Sequence, residues 1–219
     1  DRRHHRRQRE GITITTLRPI ACLGDNVVDV FRDRHRAYPG GNAYNVAAYT
    51  KLLHRAPASF TGIVGDDTFG DHIVATLAEL GIDAGGVRRA HGPSGQALVD
   101  VADDGDRVFV GGNRGGVQRG LSVRLTPDDE TRLKTARLIH TSVYSGVDHL
   151  LPRLAELAPV SYDFSEAPDL ASIAEVLPHL AVACFSGSHL SSHERRDLAH
   201  GVLALGPRVL GDRQLGRDG

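Results

Sequence analysis

Methionine is absent from all 219 residues, so the chain is expected not to be a complete product read from its own start codon. Cysteine is nearly absent too. Cys22 and Cys184 stand alone in apolar, strand-like runs, which excludes a disulfide framework and suits two buried free thiols in a reducing compartment, the cytoplasm. No apolar run approaches the ~20 residues of a membrane span, and no secretory signal opens the chain. Charge of one sign is also lacking. The formal net charge is -1, so electrostatics argue for neither nucleic acid nor an anionic membrane as partner. Lysine occurs only at Lys51 and Lys134, an arginine bias that carries no functional message.

What remains is an ordinary globular balance, 40% apolar and 24% charged, in a chain long enough for one good-sized domain. The opening "DRRHHRRQRE" has no apolar residue, and residues 1–16 read as a solvated leader rather than a nucleic-acid arm. Apolar runs predict strands at Ile20–Leu23, Phe60–Val64, Leu138–Val143, Val160–Phe164 and Ala181–Phe185, with a more exposed strand at Val27–Phe31. Helical patterns fall between them. One starts at Asn42, with Ala43, Val46, Ala47 and Leu53 near helical spacing. A second is capped by Asp66, Asp67 or Thr68, carries the stripe Ile73, Leu77, Leu80, and closes at Gly81. Thr126 followed by Pro127 opens a third. Others are expected at Asp148–Leu157, Leu170–Leu177 and Ser191–Leu205.

Strands alternating with helices predict a doubly wound, mostly parallel sheet covered on both faces, over residues 17–210. Two strand-rich insertions, near 27–38 and 96–112, fit a small separate β-sheet lid; "DDGD" marks the hairpin turn of the second. In such sheets ligands bind beyond the carboxyl ends of the strands, where "GDNVVD" lies.

"YPGGNAYNVAAYTKLL" places two glycines and two carboxamides at a helix start. Gly40 and Gly41 let backbone approach a ligand closely. Asn42 and Asn45 offer donors and acceptors, and Asp25 and Asp29 are strong acceptors for hydroxyl protons. Together they suit a neutral, hydroxyl-rich molecule. A tight turn with an Asn cap and nothing bound explains the same residue types equally well.

"LGDNVVDVF", "YPGGNAYNVAAYTKLL" and "FTGIVGDDTFGDHIVATLAELGID", in that order and spacing, resemble the PfkB (ribokinase-like) family of carbohydrate kinases, over about Ile20 to Leu210. The resemblance implies a doubly wound α/β domain with a β lid, and transfer of the ATP γ-phosphoryl to a sugar hydroxyl with Mg²⁺. It implies that Asp29 holds sugar hydroxyls and that Gly40, Gly41, Asn42 and Asn45 line the same pocket, with Asp25 a further member. Arg107, on the lid hairpin, would meet a charged substituent or the nucleotide, or else is solvated surface charge. Through "GDNVVD", "GGNAYNVA", "DGDRVF" and "DFS" (Asp163–Ser165) the likeness is to the branch acting on fructosamines such as fructoselysine at the 6-position. The implied partner is a small sugar or glycated amino acid, with pairing of two chains through the lid as a family habit.

The family's "GAGD" motif, which supplies the catalytic aspartate and the anion hole, is not found, so no catalytic residue and no metal ligand is assigned. "LGD" at Leu210–Asp212 lacks the second glycine, and "FSGSH" replaces the family's Asn-x-x-Glu. The polar "GDRQLGRDG" (211–219) is expected to lie outside any regular central strand, as at a frameshift or fragment boundary. A dinucleotide enzyme would need G-x-G-x-x-G and a P-loop would need Gly-Lys, and neither occurs. The rival readings are a sugar-binding module or inert fragment without phosphotransfer, and another sugar kinase of ribokinase, fructokinase or nucleoside-kinase type. His189, His193 and His200 near one helix face read as solvated rather than as metal ligands.

Overall fold

The computed structural model describes residues 17–101, 107–166 and 170–212; the leader and the "DDGD" turn lie outside them. The chain runs through β1 (Ile20–Leu23), β2 (Val27–Phe31), β3 (Arg36–Gly40), α1 (Asn42–His54), β4 (Ala58–Gly65), α2 (Thr68–Glu79) and β5 (Asp83–Ala90). It continues with β6 (Gln96–Val101), β7 (Arg107–Gly112), α3 (Pro127–Lys134), β8 (Leu138–Ser142), α4 (Leu151–Leu157), β9 (Val160–Glu166) and α5 (Leu170–Ile173). β10 (Val182–Ser186), α6 (Ser192–Leu205) and β11 (Val209–Asp212) follow.

Seven strands form one sheet in the order β11-β10-β9-β8-β1-β4-β5, with every pairing parallel. Alternation along β1 shows why both faces must be covered. Ala21 and Leu23 join a core with Leu133, Leu154 and Val202 of α3, α4 and α6, whereas Cys22 joins a core with Ala47 of α1 and Ile73 and Leu77 of α2. Each such large side chain, fully buried, contributes about 1.5–3 kcal/mol. The sheet is wound outward from β1 first through β4 and β5, then from the other side through β8 to β11. The reversal lies between β1 and β8, and the crevice there is where this topology receives ligands.

The four lid strands make a second sheet, β3-β2-β6-β7, in which β2 pairs antiparallel with β3 and parallel with β6. Its two faces differ. Val28, fully buried, packs into the core beneath, while Asp29 and Phe31, on the opposite face of β2, border a cleft with Tyr38.

Several boundaries differ from the sequence expectation, each for a local reason. β5, "DAGGVRRA", was not anticipated, because an edge strand with two glycines and two arginines carries no apolar run. The helix expected at Leu170–Leu177 is the single turn α5 followed by a 3₁₀ turn at Leu177–His179, with Pro178 just inside it. Asp148–Leu150 is likewise 3₁₀, and α4 starts only beyond it. Leu53 is 71% exposed rather than on the buried stripe of α1. Cys184 is half-buried, although Cys22 is fully buried, and neither forms a disulfide among the described residues. Gly211 and Asp212 extend β11 past the boundary at 210. β11 pairs with β10 alone among the described strands, and a strand with one neighbour needs no continuous apolar run.

Candidate functional site

Beyond the carboxyl end of β1 the chain turns at Gly24, whose φ is 131°. A Cβ there would sit 2.0 Å from Ser145 Oγ, so only glycine lets the turns after β1 and β8 touch. Asp25 follows, 6% exposed. Its Oδ1 accepts from Ser142 Oγ at 2.7 Å, Ser145 Oγ at 3.0 Å and Ala43 N–H at 3.2 Å, and its Oδ2 accepts from Asn42 N–H at 2.5 Å. The carboxylate therefore caps α1 from a distance, because Gly41, at the N-cap position, has no side chain to do so. Gly41 must be glycine: its φ is 103°, and a Cβ would lie 2.8 Å from Asn26 Cα. The positive end of α1 is thus already met by a carboxylate. Asn26 is spent on structure as well, its Nδ2 donating to Ile63 O at 3.0 Å.

With Asp25 behind it, the first turn of α1 turns its carboxamides outward. Asn42 Nδ2 donates to Asp163 Oδ2 at 2.7 Å, and Asn42 Oδ1 lies 2.9 Å from His140 Nε2. His140 Nδ1 lies 3.2 Å from Ser161 Oγ. With the Asn42 oxygen as acceptor, His140 donates from Nε2, and the neutral ring accepts a hydrogen bond from the Ser161 hydroxyl at Nδ1. Asp163 is held from its other side by Ser165 N–H at 2.7 Å. Strands β8 and β9 and helix α1 are joined here by one polar chain.

This chain of groups floors a cleft of about 780 Å³, bordered also by Asn45, Tyr49, Cys184 and Gly211. Asp29 and Tyr38, paired across β2 and β3, wall it from the lid with Phe31 and Arg34. Gly40 is close behind Asp29: a Cβ there would stand 3.2 Å from Asp29 Oδ2.

The structure thus brings Asp29, Asn42 and Asn45 to one cleft and puts Gly40 and Gly41 directly behind it. It sets Asp25 apart from the cleft border, as the anchor of α1. Arg107 opens β7 opposite Val101, and its side chain lies outside the described residues. Three groups escaped the sequence reading as site members: His140, Asp163 and Arg34. Asp163 had a signal in "DFS"; His140, one polar residue in an apolar strand, had none that fixed its direction. Burial pushes the Cys22 thiol, just before the site, well up from its ordinary range, with the Asp25 charge adding to it.

Among the described residues no group of three or more His, Cys, Asp or Glu is placed to hold a metal ion. No helix among them is long and apolar enough to cross a membrane. The carboxylates and carboxamides among the described residues bordering the cleft suit a polyol.

Comparison with known proteins gives a consistent picture. The pfkB family carbohydrate kinase model matches residues 20–172. A fructosamine kinase of Bacillus subtilis is 39% identical over 87% of this chain and 67% of its own length. A fructoselysine 6-kinase of Escherichia coli is 32% identical over 76% of this chain and 62% of its own. The chain therefore spans about two thirds of the length of these curated relatives. Among solved structures, a ribokinase from Giardia lamblia matches with TM-score 0.71 at 20% identity, covering 89% of this chain and 68% of that one. An Arabidopsis thaliana ribokinase complexed with ribose and ATP gives 0.70 at 18%, covering 89% and 72%.

Proposed function

We propose that this chain, which belongs to the pfkB family of carbohydrate kinases, binds the sugar substrate of an ATP- and Mg²⁺-dependent phosphorylation, and that this sugar is a fructosamine such as fructoselysine. The observation that carries the proposal is the convergence of Asp29, Asn42 and Asn45 on one cleft between the lid and the carboxyl edge of the sheet. The names of the two relatives support the substrate class. Asp29 is the charged acceptor for sugar hydroxyls. Asn42, its oxygen committed to His140, presents a carboxamide N–H to a hydroxyl oxygen, and Asn45 supplies a second donor and acceptor. The reading has phosphorylation fall on the 6-hydroxyl, in the cytoplasm, with no nucleic-acid or membrane partner and with lids able to pair two chains.

The 219 residues contain no "GAGD" motif, so the proposal assigns them sugar binding, and no turnover by themselves. Calorimetric titration with fructoselysine, fructose, ribose and adenosine, beside an ATP-consumption assay, tests both halves. Tightest binding of fructoselysine is expected. Tightest binding of ribose or adenosine overturns the substrate class, and ATP-dependent phosphorylation by the purified chain overturns the second half.

A further inference from the structure

We propose that Arg34, on the turn between β2 and β3, is a specificity residue that takes the carboxylate of a glycated amino acid while the sugar lies deeper in the same cleft. The proposal rests on the fructosamine reading above and extends it from the sugar to the amino-acid moiety. A fructosyl-lysine carries more than hydroxyls: a secondary ammonium joins the sugar to the lysine chain, and a carboxylate stands at the far end. A site selective for it over a plain ketose needs an anion near the sugar and a cation further out. The cleft has both. Asp29 and Asp163 supply negative charge, and among the described residues bordering it Arg34 carries the one guanidinium or ammonium group.

Arg34 is poised rather than consumed. Its guanidinium stands 5.8 Å from the centre of the Phe31 ring, a cation–π arrangement that orients the planar head over a residue of the cleft wall. Its carboxylate neighbour is adjacent Asp33, at 3.6 Å, beyond hydrogen-bond length, with both side chains about half exposed (58% and 48%). Such an exposed pair holds little, ~0–1 kcal/mol. The N–H fork of Arg34 is thus available for a bidentate grip on a carboxylate, which lysine in its place would not reproduce. The order of the residues along the lid also fits. Asp29 and Phe31 share a face of β2 about 7 Å apart along the strand, and Arg34 lies beyond them across the turn. From the first sugar carbon to the carboxyl of an extended lysine adduct is roughly seven bonds, or about 9 Å. Phe31 and Tyr38, in edge contact at 5.8 Å, wall the stretch between, where the methylene chain would run.

The test is titration of the 219-residue chain, native and with Arg34→Gln or Arg34→Lys, against Nε-fructosyl-lysine and the same compound with its carboxylate replaced by a carboxamide. The native chain is expected to prefer the carboxylate about tenfold, a charge-assisted hydrogen bond's worth. Arg34→Gln should bring that ratio to about one, and Arg34→Lys should keep part of it. Thermal melts of the variants show whether they are folded; should they not be, the native ratio alone decides. Equal binding of the two compounds by the native chain, or an undiminished preference in folded Arg34→Gln, overturns the role of Arg34 and leaves the fructosamine reading standing. If neither adduct binds, both readings fall.

Discussion

Asp25 and Asp29 are four residues apart and chemically identical, yet the fold gives them opposite tasks. Asp25 is sealed behind α1 with four donors, while Asp29 faces the cleft from the lid. Asp29→Ala should therefore weaken sugar binding by about 1.5–3 kcal/mol per lost hydrogen bond. Titration measures it, and an unchanged affinity would remove Asp29 from the site. A second prediction concerns Asn42. Asn42→Asp sets a carboxylate where a carboxamide now lies 2.7 Å from Asp163, and two ionised carboxylates repel strongly at that distance. Binding should fall at pH 7 and recover in part as the pH is lowered and the pair takes up a proton. Loss that is independent of pH would argue against the contact.

At the scale of the element, caps and turns decide where helices start. α2 begins at Asp67, whose Oδ1 accepts from Gly70 N–H at 2.9 Å. α3 begins at the reciprocal pair Thr126 and Asp129, with Pro127 in its first turn. Both starts were visible in sequence, because the capping residue is local. The start of α1 was visible as a helix but not as a capped one, since its cap comes from Asp25, on a turn before the lid strands. Asp25→Ala removes a buried acceptor from four donors and from the positive end of a 13-residue helix. A loss of about 3 kcal/mol or more in urea unfolding is expected, the donors being left unpaired. An effect below 1 kcal/mol would mean that the helix end is held by something else.

For the whole molecule, acid stability follows from two buried or partly buried carboxylates. Burial works against ionisation of Asp129, but Thr126 and the Arg88 guanidinium outweigh it and hold its carboxyl below the usual range. Asp67 is likewise lowered: burial opposes, and the Ser94 hydroxyl and the N–H groups of Gly70 and Ser94 prevail. Folded-state pKa values below the unfolded ones, ~3.9 for Asp, give stability that is full above that value and lost as pH falls through the folded value. The melting temperature should be flat from about pH 7 to 5 and drop below about pH 4. Asp129→Asn should lower it at neutral pH, leaving Arg88 and Arg132 short of their partner, and should flatten the acid slope. A parallel acid slope in that variant would place the titrating groups elsewhere.

Sequence by itself determined the parallel α/β sheet, the separate lid sheet and most helix starts, because apolar runs, periodicity and local caps are properties of neighbouring residues. It also singled out Asp29, Asn42 and Asn45, since a glycine pair before two carboxamides is a local pattern. Only the tertiary structure decided that Asp25 caps α1, that His140 and Asp163 orient Asn42, and that Arg34 stands at the cleft wall. Those roles depend on contacts between segments about 17 to 121 residues apart, or on a lid turn folding over the sheet. Such proximity is fixed by the winding of the strands from β1 and by the packing of both cores, and no stretch of neighbouring residues encodes it.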